Sequence, residues 1–172
     1  MTHWLPRLLK HRWFDEGDAR RALGAHAITR VEARVAASEA RHTGQIRVCV
    51  EAGLPLSYLL RNASARDRAV AMFGKLRVWD TAHNNGVLIY LLLAERAIEI
   101  VADRGIAGPV DAAAWAAITA QMQCAFRGGD FAAGLDRAID AVDTLLVQHF
   151  PRAAGVAAGE YPNELPDAPV IR

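Results

Sequence analysis

At 172 residues with 52% hydrophobic side chains, the chain is long enough to bury one core and too short for several. Twenty Lys and Arg against nineteen Asp and Glu give a formal net charge of +1, which argues against a nucleic-acid partner. The longest apolar run, Gly86 to Ala94, is about half of what a bilayer-spanning helix needs, so no transmembrane segment is expected.

Residues 5 to 13 predict an amphipathic helix, with Trp4, Leu5, Leu8, Leu9 and Trp13 set against His3, Arg7, Lys10 and His11. Pro6, Arg7, Lys10, His11 and Arg12 interrupt any signal-peptide core, so a cytoplasmic location is expected. The helix either packs on its own domain or touches a membrane surface or a partner through residues 3–13. A second short helix follows near Glu16 to Leu23, making residues 1–23 a helical extension. Gly24 to His42 predicts a long helix with Ile28, Val31 and Val35 on one stripe, closed by Gly44 as a left-handed cap.

Gln45 to Ala52 alternates, Ile46, Val48 and Val50 pointing one way and Arg47, Cys49 and Glu51 the other, which predicts the first strand. Gly53-Leu54-Pro55 turns the chain into a loop, and a helix runs from about Ala65 to Leu76 with Val70, Phe73 and Leu76 inward. Next come two apolar blocks, Val87 to Ala94 and Ala97 to Ala102, around Glu95 and Arg96. They predict an antiparallel hairpin. A two-residue turn at Glu95-Arg96 sets Gly86 opposite Gly105 and Leu88 opposite Asp103. The hairpin then brings Asp80, Asn84 and Asn85 to the same sheet edge as Asp103.

A helix from Val110 to Arg127 carries the stripe Trp115, Ile118, Met122 and Phe126. Glycine closes it, Asp130 caps the next, and Phe131 to Phe150 buries Leu135, Ile139, Val142 and Leu146. Residues 151–172 are Ala-, Gly- and Pro-rich and read as a flexible tail. Cys49 and Cys124 lie far apart, outside any metal-ligand spacing, and are expected as buried free thiols. Strand, helix, strand order implies a parallel crossover. The fold class is therefore α/β: a small mixed sheet, one crossover plus one antiparallel hairpin, sandwiched between helices, with a further short strand or a helix covering its edge.

Several pieces in this order resemble the TPM domain family, known from bacterial envelope proteins and a plant thylakoid-lumen phosphatase. They are Phe73 and Trp79; Asn84-Asn85-Gly86-Val87-Leu88; Ile98 to Ile106 with Asp103 and Gly105; Phe126-Arg127-Gly128-Gly129-Asp130; and Phe131-Ala132-Ala133-Gly134-Leu135. The resemblance covers roughly residues 24 to 146 and makes residues 24–150 the domain. It implies divalent-metal binding, calcium in some members, and phosphatase activity in others.

Hard oxygen donors at the hairpin edge agree with calcium or magnesium: carboxylates of Asp80 and Asp103, amide oxygens of Asn84 and Asn85. Gly86 and Gly105 allow close approach of backbone to an ion or phosphate, and Arg104 and Arg127 are candidate phosphate clamps. The same residues also fit a plain turn, with the Asn side chains bonded to local backbone and Asp103 paired to Arg104 or Arg127. His83 is a candidate base or ligand, or a solvated loop residue. No cysteine-phosphatase loop, nucleophile elbow or zinc helix is present. Two functions remain open: a metal-binding accessory module with a protein partner in envelope or membrane-protein homeostasis, and a metal-dependent acid phosphatase using Asp80 and Asp103 as ligands and Arg104 as clamp.

Overall fold

Polar and apolar side chains alternate along Gln45–Glu51 (β1), yet all seven residues are buried, because helices cover both faces of the sheet. The computed structural model describes residues 4–24, 26–153 and 161–172. β1 pairs parallel with Gly86–Leu92 (β2), which pairs antiparallel with Ala97–Ala102 (β3). A two-residue strand, Val170–Ile171 (β4), closes the other side of β1, giving the order β3-β2-β1-β4.

The helices are Trp4–Arg12 (α1), Glu16–Leu23 (α2), Ala27–Glu39 (α3), Leu56–Leu60 (α4), Ala65–Lys75 (α5), Arg104–Ala107 (α6), Ala112–Arg127 (α7) and Phe131–His149 (α8). Ile46, Val48, Val50, Val87, Ile89 and Leu91 form one sheet face and pack on α2, α3, α7 and α8. Cys49, Leu88, Tyr90 and Leu92 form the other and pack on α4 and α5. The mixed sheet between helices is the expected class. The predicted stripe of α8 is buried at all four positions, and Asp130 caps that helix by accepting from the Ala133 N–H.

Several local expectations are corrected. The hairpin loop is four residues, Leu93 to Arg96, not two; Arg96 turns the chain at a φ of +49°. Asp103 therefore sits opposite Gly86, and Gly105 reaches Asn84, each two residues from its predicted partner. A two-residue slip keeps the same faces inward, since side chains alternate with period two. In α5 the buried stripe is Ala65, Arg68, Ala69 and Met72; of the three residues expected inward, Phe73 and Leu76 pack half-buried on the same core, while Val70 is 51% exposed. The long N-terminal helix stops at Glu39, and Gly44 does not cap it; a Cβ there would meet the Leu146 side chain at 2.9 Å. Cys49 is buried and free as expected, but Cys124 is free and exposed.

Residues 161–172, expected within the flexible tail, run along the sheet instead. The Arg47 guanidinium donates to the carbonyls of Pro166 and Ala168, Gln45 Oε1 accepts the Glu164 and Leu165 N–H groups, and Leu165 is buried. The polar side of β1 supplies these anchors, and β4 covers the edge that three strands would have left open.

The turn after α3 carries a buried polar network. Ser38 Oγ donates to Asp143 Oδ1 (2.8 Å) and lies 2.8 Å from His42 Nε2, tying α3 to α8. Glu39 Oε1 accepts the Ile46 N–H at 2.6 Å. Burial pushes the His42 imidazole down to about 4, with Arg41 and Arg152 adding to the fall and Asp143 opposing it. Burial pushes the Glu39 carboxyl up to about 8, with Asp167 adding to the rise and the Ile46 N–H and Arg152 opposing it.

These two groups act on stability in opposite directions. The fold refuses a proton at His42 that the unfolded chain takes up near pH 6.5, so this contribution is complete above 6.5 and lost as pH falls towards 4. It keeps a proton at Glu39 that the unfolded chain releases near 4.5, so that contribution is complete below 4.5 and lost as pH rises towards 8. Each pH unit inside either window is worth about 1.4 kcal/mol. The slopes offset each other between about 4.5 and 6.5, and above 6.5 Glu39 alone lowers stability by about 2 kcal/mol. In urea titrations across pH 4 to 8, Glu39→Gln is expected to remove the alkaline decline, and His42→Asn to extend it down to 4.5. Identical pH profiles for wild type and both variants would refute the assignment.

Candidate functional site

The loop leaving α5 turns back on itself to meet the start of β2. Arg77 and Asn84 both take positive φ, +56° and +51°, and Asp80 N–H bonds to the Arg77 carbonyl. Thr81 Oγ1 accepts the Asn85 N–H at 3.0 Å, closing the last turn before the strand. Across β2, Asp103 caps α6 by accepting the Arg104 N–H at 2.7 Å, and its own N–H donates to the Gly86 carbonyl. Gly105 N–H donates to the Asn84 carbonyl, and Arg104 Nη2 donates to Asn84 Oδ1 at 2.8 Å. The hairpin thus brings Asn84, Gly86, Asp103, Arg104 and Gly105 together at one sheet edge.

Both glycines allow close approach of backbone to backbone. A Cβ at Gly86 would stand 2.0 Å from the Val78 carbonyl oxygen, and one at Gly105 would stand 2.5 Å from that of Asn84. Asn85 turns towards β1, its amide donating to the Thr43 carbonyl. It lines a cavity of about 370 Å³ shared with Thr43, His83, Phe150 and Tyr161. Asp80 is paired with Arg77 at 2.5 Å. Arg127 is not at this edge: its carbonyl accepts from Arg96 in the hairpin loop, at the far end of β3.

Two buried oxygens here have no hydrogen-bond partner among the described residues, Asp103 Oδ2 at the edge and Asn85 Oδ1 beside Thr43. An unmatched buried acceptor is costly, so each is a position where a cation would be welcome. Against this, the Asn84 oxygen is held by Arg104 and Asp80 by Arg77, so an ion drawing on all four donors must displace two exposed guanidinium groups. Among the described residues, no group of three or more His, Cys, Asp or Glu side chains converges to hold a metal. The donor set fits a weak hard-cation site and not a high-charge cage. Glu164 also reaches this edge, accepting the Ala82 N–H at 2.7 Å. No local sequence signal places it there.

Cys49 does not supply a nucleophile. Burial first, then Glu51, pushes the Cys49 thiol up to about 12, so it stays protonated at neutral pH. A larger cavity, about 710 Å³, lies at the other end of β1, with Leu8, His11, Phe14, Leu54 and the buried Glu51–Arg68 pair in its walls.

A small mixed sheet between two helical layers, with a tightly folded loop against the start of its hairpin, defines a compact α/β domain class. The model of the TPM domain matches residues 18–145, and the chain belongs to that family. The NMR structure of BA42 protein from the psychrophilic bacterium Bizionia argentinensis is similar, at 26% identity and a TM-score of 0.71, over 86% of this chain and 94% of that one. The solution structure of the N-terminal domain of a protein from P. gingivalis shares the fold, at 20% identity and a TM-score of 0.61, over 81% of this chain and 97% of that one. No curated protein matches the chain. Among the described residues, no helix is long and apolar enough to cross a membrane.

Proposed function

We propose that this chain is a divalent-cation-binding accessory module that acts through a protein partner in envelope or membrane-protein homeostasis. The observation carrying the cation is the buried, unpartnered Asp103 Oδ2 at the edge where the hairpin and its preceding loop meet, with Asn85 Oδ1, next to Asn84 in the chain, likewise unpartnered among the described residues. Calcium or magnesium is the matching class, because every donor offered is a carboxylate, amide or backbone oxygen. Asp103 and Asn85 would hold the ion, with Asn84 and Asp80 joining as Arg104 and Arg77 swing away. For the envelope role and the partner, the support is membership of the TPM family alone.

A metal-dependent phosphomonoester hydrolase stands second. Arg104 beside Asp103 would clamp a phosphate, but it is engaged with Asn84, and among the described residues no group of three or more His, Cys, Asp or Glu side chains converges beside it.

Calorimetric titration tests the reading. Calcium or magnesium should bind with a Kd on the order of 10⁻⁴ to 10⁻³ M, the range of sites with few charged ligands. Asp103→Asn should weaken binding at least about tenfold, since one of only two carboxylates is lost. Flat titrations at millimolar ion would remove the cation. Metal-dependent release of phosphate from p-nitrophenyl phosphate, abolished by EDTA and by Asp103→Asn, would promote the hydrolase.

A further inference from the structure

Among the described residues eight large hydrophobic side chains are exposed, and six of them, Leu5, Leu9, Trp13, Phe14, Leu56 and Leu60, belong to α1, its exit and α4. α1 packs on α4, so these side chains form one apolar ridge. Trp13 is 81% exposed, Leu60 68% and Leu9 59%.

This exposure is not that of a helix awaiting its own core. α1 is already docked through the opposite face. His11 is buried, with Nδ1 accepting the Leu54 N–H at 2.9 Å and Nε2 3.0 Å from Glu95 Oε1. Arg7 donates to the same carboxylate, to Asn62 Oδ1 and to the Ala63 carbonyl. Leu8 packs on the core behind them. With that face committed, 3.6-residue periodicity turns Leu5, Leu9 and Trp13 outward together.

The charge around the ridge selects its occupant. α1 holds no acidic residue, and Lys10 and Arg12 flank the apolar side chains, exposed and without an ion pair among the described residues. Exposed Arg61 follows Leu60, its guanidinium over the Tyr58 ring. The nearby acids are engaged: Asp15 caps α2, Glu16 pairs with Arg20, and Glu95 with Arg7. Leucine and tryptophan on one side with Lys and Arg at the margin is the pattern of a helix lying in a bilayer interface. We infer that the α1–α4 ridge docks the domain on an anionic phospholipid surface, the apolar side chains entering the headgroup boundary and Lys10, Arg12 and Arg61 meeting lipid phosphates.

Co-sedimentation with vesicles of 70% phosphatidylcholine and 30% phosphatidylglycerol tests this, with pure phosphatidylcholine as comparison. Wild type should partition onto the anionic vesicles at low salt at least tenfold better than onto neutral ones, and lose most of that advantage at 0.5 M NaCl. Each basic side chain at the surface is worth about fivefold in partitioning, so Lys10→Ser/Arg12→Ser should lower anionic binding by about 25-fold. Leu9→Ser/Trp13→Ser should abolish binding to both vesicle types while its urea midpoint stays at the wild-type value, since both side chains are exposed. Wild type failing to sediment with anionic vesicles, or the Leu9/Trp13 variant binding like wild type, overturns the inference. So does ridge-dependent dimerisation in sedimentation velocity without vesicle binding.

Discussion

Arg68→Met is expected to lower stability by about 3–5 kcal/mol, the cost of leaving one partner of a buried ion pair alone. Arg68 Nε and Nη2 donate to the two oxygens of Glu51 at 2.7 and 2.5 Å, a bidentate fork, and both side chains are 4% exposed. Tyr90 Oη donates to Glu51 as well, at 2.8 Å. The carboxylate raises the Arg68 pKa further above its ordinary value, chiefly through these hydrogen bonds. With Arg68 gone, Glu51 keeps one neutral donor in a layer built from Cys49, Leu88 and Leu92. Replacing both, as Glu51→Leu/Arg68→Met, should recover most of the loss, because desolvation of two ions offsets much of their attraction. Urea unfolding with an unchanged m-value measures this, and the double-mutant cycle gives the coupling directly. Additive single losses would show that the pair is not coupled.

That pair also shows where sequence reading stops. Alternation along β1 places Arg47, Cys49 and Glu51 on one face, and a polar face normally meets solvent. Only the position of α5 shows that it meets Arg68. Within α5 the apolar Val70 attracts the assignment of an inward face, whereas the buried stripe includes Arg68, whose partner lies 17 residues away. The hairpin was legible because two apolar blocks flank a charged pair. Its register was not: Leu93 and Ala94 are apolar and continue the strand pattern, yet they belong to the loop. The edge containing Asn84, Asp103 and Arg104 survives that error, since the slip is by two. Contacts made by residues 161–172 were invisible, because Arg47 and Gln45 reach partners 119 or more positions away, beyond any local pattern.

The second large effect falls on that edge. Gly86→Ala is expected to cost 3 kcal/mol or more, above the usual range of about 1–3 kcal/mol for an overpacked site. Its cause is a collision between backbone and Cβ that no rotamer can relieve. Gly86 does not have positive φ, so conformational freedom is not the reason for glycine there. The space a methyl group needs is filled by the Val78 carbonyl oxygen at 2.0 Å, with Val78 Cγ1 at 2.9 Å. Val78 is fully buried, so its peptide cannot simply move outward. Either β2 shifts from Gln45 and Asp103, or the loop of residues 77–85 lifts away and separates Asn84 from Arg104. Both routes dismantle the proposed cation site, so Gly86→Ala should lose calcium binding along with stability. Gly74→Ala supplies the comparison: that helical glycine has nothing within 4 Å of the added methyl, and alanine should stabilise by about 0.5–1 kcal/mol. Thermal or urea unfolding of the two variants separates crowding from helix propensity. A Gly86→Ala protein as stable as wild type would mean that the loop does not rest on the first residue of β2, and the geometry of the edge would have to be abandoned with it.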